Sequence, residues 1–159
     1  MKVFFWIFVI LCLVNPELIL AKLYGSPNFI ETNTYVTEKS TLLEFHVKLL
    51  HMVEDCVQEL GLRNEPLAVK RSKIVCIAEC IGRKSHMIDR YGNLNHDGYR
   101  NFVNDMPLNG AQRAVAEDVV KKCISDIEMF PNKIHEATGC NVIPAHAMVC
   151  VQKPFRALQ

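Results

Sequence analysis

Residues 74–83 read IVCIAECIGR, an apolar run that holds two cysteines, Cys76 and Cys80, and no glycine or proline before Gly82. A run of this composition reads as a helix. On a helix, positions four apart have Cβ atoms about 5 to 6 Å apart, whereas a disulfide needs roughly 3.5 to 4.5 Å. The two thiols therefore do not easily bond each other if the run is helical. Each one pairs elsewhere, binds metal or stays free, and the compartment decides which.

The N-terminus speaks to the compartment. Met1 and Lys2 precede an uncharged apolar run from Val3 to Val14, and Ala21 follows shortly after. That order is the layout of a secretory signal peptide. Asn15, Pro16 and Glu17 end the run well short of the roughly 20 residues that a membrane span needs. We therefore expect a signal segment over residues 1–21, cleavage after Ala21, and a secreted, extracellular protein with no membrane insertion. Cleavage removes Cys12 and leaves six of the seven cysteines: Cys56, Cys76, Cys80, Cys123, Cys140 and Cys150. An even count in an exported chain implies disulfides. The 18 Lys and Arg nearly balance the 17 Asp and Glu. Such a balance gives no electrostatic footprint for nucleic acid or a charged membrane surface.

Beyond the signal, residues 22–39 carry Gly25 and Pro27 without helical periodicity and are expected to form an extended lead-in. Residues 40–159 then read as a single helical domain. Thr41 with Glu44 has the form of a capping box. From there Leu42, Phe45, Leu49, Met52, Val53, Cys56 and Leu60 fall within an arc of about 100°, and Gly61 ends the pattern. Further helices are expected over residues 67–82, 99–106 and 111–128, with Val115, Val119 and Cys123 on one stripe of the last. Residues 82–98 read as a polar loop, and AHAMVCVQ after Pro144 is helix-compatible. With no alternating strand of useful length, the expected class is all-α, a compact bundle of about six short helices. Isolated helices of this length are marginal in water, so packing and cross-links have to hold them.

Nineteen, three, forty-two, sixteen and nine residues separate successive cysteines of the six. This order resembles that of the insect odorant-binding and pheromone-binding proteins, secreted helical carriers with six cysteines of which the second and third are three residues apart. Two gaps depart from the usual pattern of that family: the sixteen and the nine residues are both wider than is common there. The resemblance implies three disulfides, Cys56 to Cys80, Cys76 to Cys140 and Cys123 to Cys150, around an apolar cavity. It implies a small hydrophobic ligand, an odorant or pheromone, as partner, and a membrane receptor as a further one. Helix faces and the resemblance together nominate a lining of Leu49, Met52, Val53, Ile77, Ile81, Met87, Ile88, Phe102, Met106, Val115, Val119, Met148 and Phe155. Burying roughly 300 to 400 Å² of ligand at about 25 cal/mol per Å² supports micromolar binding after entropy losses. The oligomeric state is not set by the sequence.

Other chemistries fit less well. NLNHDGYRNFVN (93–104) echoes a calcium loop, but Asn93 and Asn104 stand where carboxylates are needed, and a turn capping the next helix accounts for it. Zinc at Cys76 and Cys80, with His46, His51, His135 or His146, competes with disulfide formation in an oxidising compartment. No nucleophile elbow, zinc-protease motif or phosphate loop is present, so we expect no catalytic residue, no metal and no cofactor. His86, in the polar loop, is nominated as a group whose protonation shifts a gate. The competing reading is an extracellular interaction or signalling protein on the same scaffold with a filled core.

Overall fold

The computed structural model describes residues 33–130 and 132–156, with side chains from 43 to 154 except Pro131. The expected signal segment, residues 1–21, and the lead-in up to residue 32 lie outside the described residues. Six helices are present among the described residues: α1 (Asn33–Glu59), α2 (Leu67–Ser72), α3 (Ile74–Lys84), α4 (His96–Asn104), α5 (Gly110–Glu128) and α6 (Ile143–Arg156). The only strand-like pairings among them are isolated bridges, Ile88 with Leu94 and Ile134 with Asn141. The fold is all-α, and all six cysteines from Cys56 to Cys150 are disulfide-bonded. The chain divides into two compact units after Lys70.

In the first unit α1 starts at Asn33, so residues 33–39, expected to be extended, are helical and Thr41 sits inside the helix. No glycine or proline falls in 33–40 to break a helix, since those of the lead-in lie at 25 and 27. The C-terminus is fixed by Gly61, whose φ of 68° places it in the left-handed region. Leu62 N donates to Val57 O at 2.8 Å and Gly61 N to Gln58 O at 3.0 Å, the pair of bonds that closes a helix end on a glycine. Val53 and Cys56 are buried, whereas Leu60, in the last turn before the glycine, is exposed.

The expected helix 67–82 is two helices. Lys73, at φ −103° and ψ 12°, breaks it, and α3 continues to Lys84. α3 buries Cys76, Ile77, Ala78, Ile81 and Gly82, so the thiol Cys76 and the aliphatic stripe are both covered. Cys76 bonds Cys140, 64 residues on. That bridge ties α3 to the segment before α6, and α3 packs on α6.

α4 begins earlier than expected because Asn95 caps it, its side chain accepting from Gly98 N at 3.2 Å. Its buried phenol, Tyr99, donates to Ala147 O of α6 at 3.0 Å, and burial raises the phenol pKa. α5 starts in a complete capping box between Asn109 and Gln112. Its buried stripe runs through Gln112, Ala116, Val120, Cys123, Ile124 and Ile127, one position on from Val115 and Val119, which are half-buried. Cys123 bonds Cys150 on α6. α6 itself runs through Pro154 to Arg156, four residues past the expected end. A proline in that last turn costs one backbone bond and leaves the rest of the helix intact.

Two loops of the second unit lock together. Asn141, buried, donates from Nδ2 to Gly92 O at 2.6 Å and accepts at Oδ1 from Ile143 N at 2.9 Å. Its own N–H donates to Glu79 Oε2 at 2.8 Å, while Glu79 Oε1 takes the Arg83 guanidinium at 2.7 Å. One carboxylate on α3 thus joins its own helix to the segment that leads into α6. In the facing loop Asp89 Oδ1 accepts from the N–H groups of Tyr91 and Asn93, both at 2.8 Å.

Candidate functional site

The residues expected to line a ligand site fall into three sets. Ile77, Ile81, Met87, Ile88 and Phe102 are buried in the second unit, with Met87 and Ile77 at 0% and 1% exposure. α3 supplies two, the loop after it two and α4 one, and their burial follows from helix faces that turn toward α6 and α5. Met106, Val115, Val119 and Met148 are half-buried in the same unit. Leu49 and Met52 are half-buried and Val53 buried on α1, in the first unit. The side chain of Phe155 lies outside the described residues.

The second unit also carries a concavity that no helical period announces. An open groove of about 540 Å³ runs between α5 and α6, walled by Val119, Ile127, Phe130, Val149 and Pro154 and rimmed by Asp118, Lys122, Asp126 and Lys153. The Cys123–Cys150 bridge lines it as well. Past Phe130 and His146 a second hollow of about 520 Å³ continues over Ile134, Ala137 and Val142. The rings of Phe130 and His146 stack with centroids 4.1 Å apart and planes 34° apart. Burial, and then the neighbouring Lys153 ammonium, hold the His146 imidazole below its usual pKa. Of the expected lining residues Val119 faces this groove. Phe130 lies beyond the end of α5, where no periodic pattern reaches it.

The decoys resolve through partners. Cys76 and Cys80 have their sulfurs in disulfides, which overrides zinc ligation by thiolate. In the calcium-like loop Asn95 caps α4 and the Asn93 side chain accepts from Lys133 Nζ and donates to Asp89. His96 Nε2 lies 2.8 Å from Glu128 Oε1, an exposed tie between the first turn of α4 and the last of α5.

A family model described as PBP/GOBP matches residues 38–153. The chain belongs to the PBP/GOBP family. These are the insect odorant- and pheromone-binding proteins, and the match takes in all six bridged cysteines. The family is one of secreted carriers of small hydrophobic ligands rather than of enzymes. No curated protein and no solved structure matches the chain. The pairings Cys76 to Cys140 and Cys123 to Cys150 are those that membership implies. Among the described residues, no helix of this PBP/GOBP chain is long and apolar enough to cross a membrane.

Proposed function

We propose that the protein carries a small hydrophobic ligand, an odorant or pheromone, through extracellular fluid, with residues 40–159 acting as one binding domain. The observation that carries this reading is the family match over residues 38–153. The proposed lining is Leu49, Met52, Val53, Ile77, Ile81, Met87, Ile88, Phe102, Met106, Val115, Val119, Met148 and Phe155. Four of these are methionines, of the kind that reshape around different guests. Bridged helices keep their spacing whatever fills the space between them, which lets an apolar hollow persist where a core would otherwise close-pack. His86 is exposed, at φ 59°, in the turn after α3.

A second reading has one observation in its favour. The complete burial of Met87 and Ile77 suits a filled core as well as the wall of a closed void, and a filled core would make this an interaction or signalling protein. Titration with N-phenyl-1-naphthylamine, whose fluorescence rises in apolar surroundings, separates the two. A carrier takes up the probe with micromolar affinity and releases it to competing apolar molecules; no uptake ends the carrier reading.

A further inference from the structure

The groove between α5 and α6 shares only Val119 with the proposed ligand lining and has a polarity of its own. The helices pair antiparallel here, since Cys123 bonds Cys150 while Phe130, further along the chain, stacks on the earlier His146. Lys122 and Lys153 therefore lie from the bridge toward the start of α5, and Ile127, Phe130 and Ile134 lie on the other side of it. Neither ammonium has an ion pair or hydrogen bond among the described residues, and both lysines are exposed. Phe130 and Ile134 are apolar yet 37% and 49% exposed. The lysine-bearing groove of about 540 Å³ and the hollow of about 520 Å³ that continues from it past Phe130 over Ile134 each fall within the usual range for small-molecule sites.

We propose that this groove is a second, solvent-facing site for a single-chain amphipathic carboxylate, with its head at Lys122 and Lys153 and its tail along Ile127, Phe130 and Ile134. Asp118 and Asp126 also edge the groove. Asp118 shares the lysines' side of the bridge and Asp126 the other, which disfavours a polyanion and leaves the lysine end with one net positive charge, enough for one carboxylate. The depressed pKa of His146 keeps its ring neutral at neutral pH, so the wall it forms with Phe130 suits an alkyl chain. The disulfide through the groove fixes the distance between its two walls, so the hollow does not depend on a guest to stay open.

The test uses the oxidised full chain with dodecanoate and, as an uncharged control of the same length, dodecanol. Isotope-filtered NOE spectra should connect the alkyl protons of dodecanoate to the ring protons of Phe130 and His146. The double variant K122Q/K153Q, which changes exposed side chains only, should weaken dodecanoate at these resonances about tenfold and leave dodecanol unchanged. NOEs confined to interior residues such as Met87 and Phe102, or dodecanoate affinity at the groove resonances unaltered in the variant, would overturn the proposal. Uptake of N-phenyl-1-naphthylamine by the same samples reports on the interior carrier reading independently, so the failure of one is distinguishable from the failure of the other.

Discussion

Gly82 and Pro144 set how closely α3 approaches α6: a Cβ built on Gly82 falls 2.5 Å from Pro144 Cγ and 2.6 Å from Pro144 Cβ. A side chain there meets a rigid ring rather than the flexible end of a long residue. Glycine in mid-helix ordinarily costs about 1 kcal/mol relative to alanine, so G82A should stabilise an isolated helix. In this protein the clash reverses the sign. Overpacking costs about 1 to 3 kcal/mol, and we expect G82A to lose about 1 to 2 kcal/mol in urea denaturation. Adding P144A should return part of that loss in a double-mutant cycle. Stabilisation by G82A alone would mean that the two helices separate without cost.

Asn141 satisfies two backbone groups from a buried position, Gly92 O and Ile143 N. Removing its side chain strands both. We expect N141A to cost about 2 kcal/mol, in the range for buried unpaired groups, measured by chemical denaturation. Native-state hydrogen exchange at Ile143 should accelerate in the same variant.

The two bridges within the second unit close loops of different length, 64 and 27 residues. Chain-entropy arguments give about 4.3 and about 3.5 kcal/mol respectively. C76S/C140S is therefore expected to be destabilised more than C123S/C150S, with the difference read from denaturation midpoints under identical conditions. The opposite order would show that the reduced chain retains structure around one of the loops.

Acid should weaken the fold in two steps. The His146 pKa is lowered from 6.5 on folding by burial and then by Lys153. Below 6.5 the unfolded chain therefore binds more protons at this residue than the folded one, and stability falls until the pH passes the folded value. The carboxylates of Asp126 and Glu136 line the same hollows and oppose this loss, while Phe130 and Lys153 add to it. H146Q should remove the part of the stability loss between pH 7.5 and pH 5 that belongs to this ring. An unchanged loss assigns the slope elsewhere.

The second step lies below the ordinary carboxylate range. The backbone N–H of Asn93 is the largest of the hydrogen-bond contributions that hold the Asp89 pKa below 3.8. Its contribution is present above that value and disappears as the pH falls through the folded pKa. In D89N, acid unfolding below pH 4 should lose this component, and amide exchange at Tyr91 and Asn93 should be faster at neutral pH.

The helix inventory and the thiol framework were largely written in the sequence. Apolar residues at helical spacing, Gly61 at a terminus and the run around Cys76 are local signals, and a helix is a local object. Some boundaries moved for equally local reasons: Lys73 interrupts a pattern that looked continuous, and Asn95 caps α4 earlier than Tyr99 suggested. Four-residue spacing on one helix was enough to keep Cys76 and Cys80 from each other. That Cys76 meets Cys140 followed from family resemblance and is realised only in the packed chain.

The groove, the Phe130–His146 stack and the Gly82–Pro144 contact had no signature in the sequence. Each joins residues 16 to 62 positions apart on different elements, and their meeting depends on how α3, α5 and α6 cross. Periodicity reports which face of a helix is apolar. It carries no information about the angle and separation at which two such faces meet, because those are set jointly by every side chain between them, and that is what the tertiary structure decided.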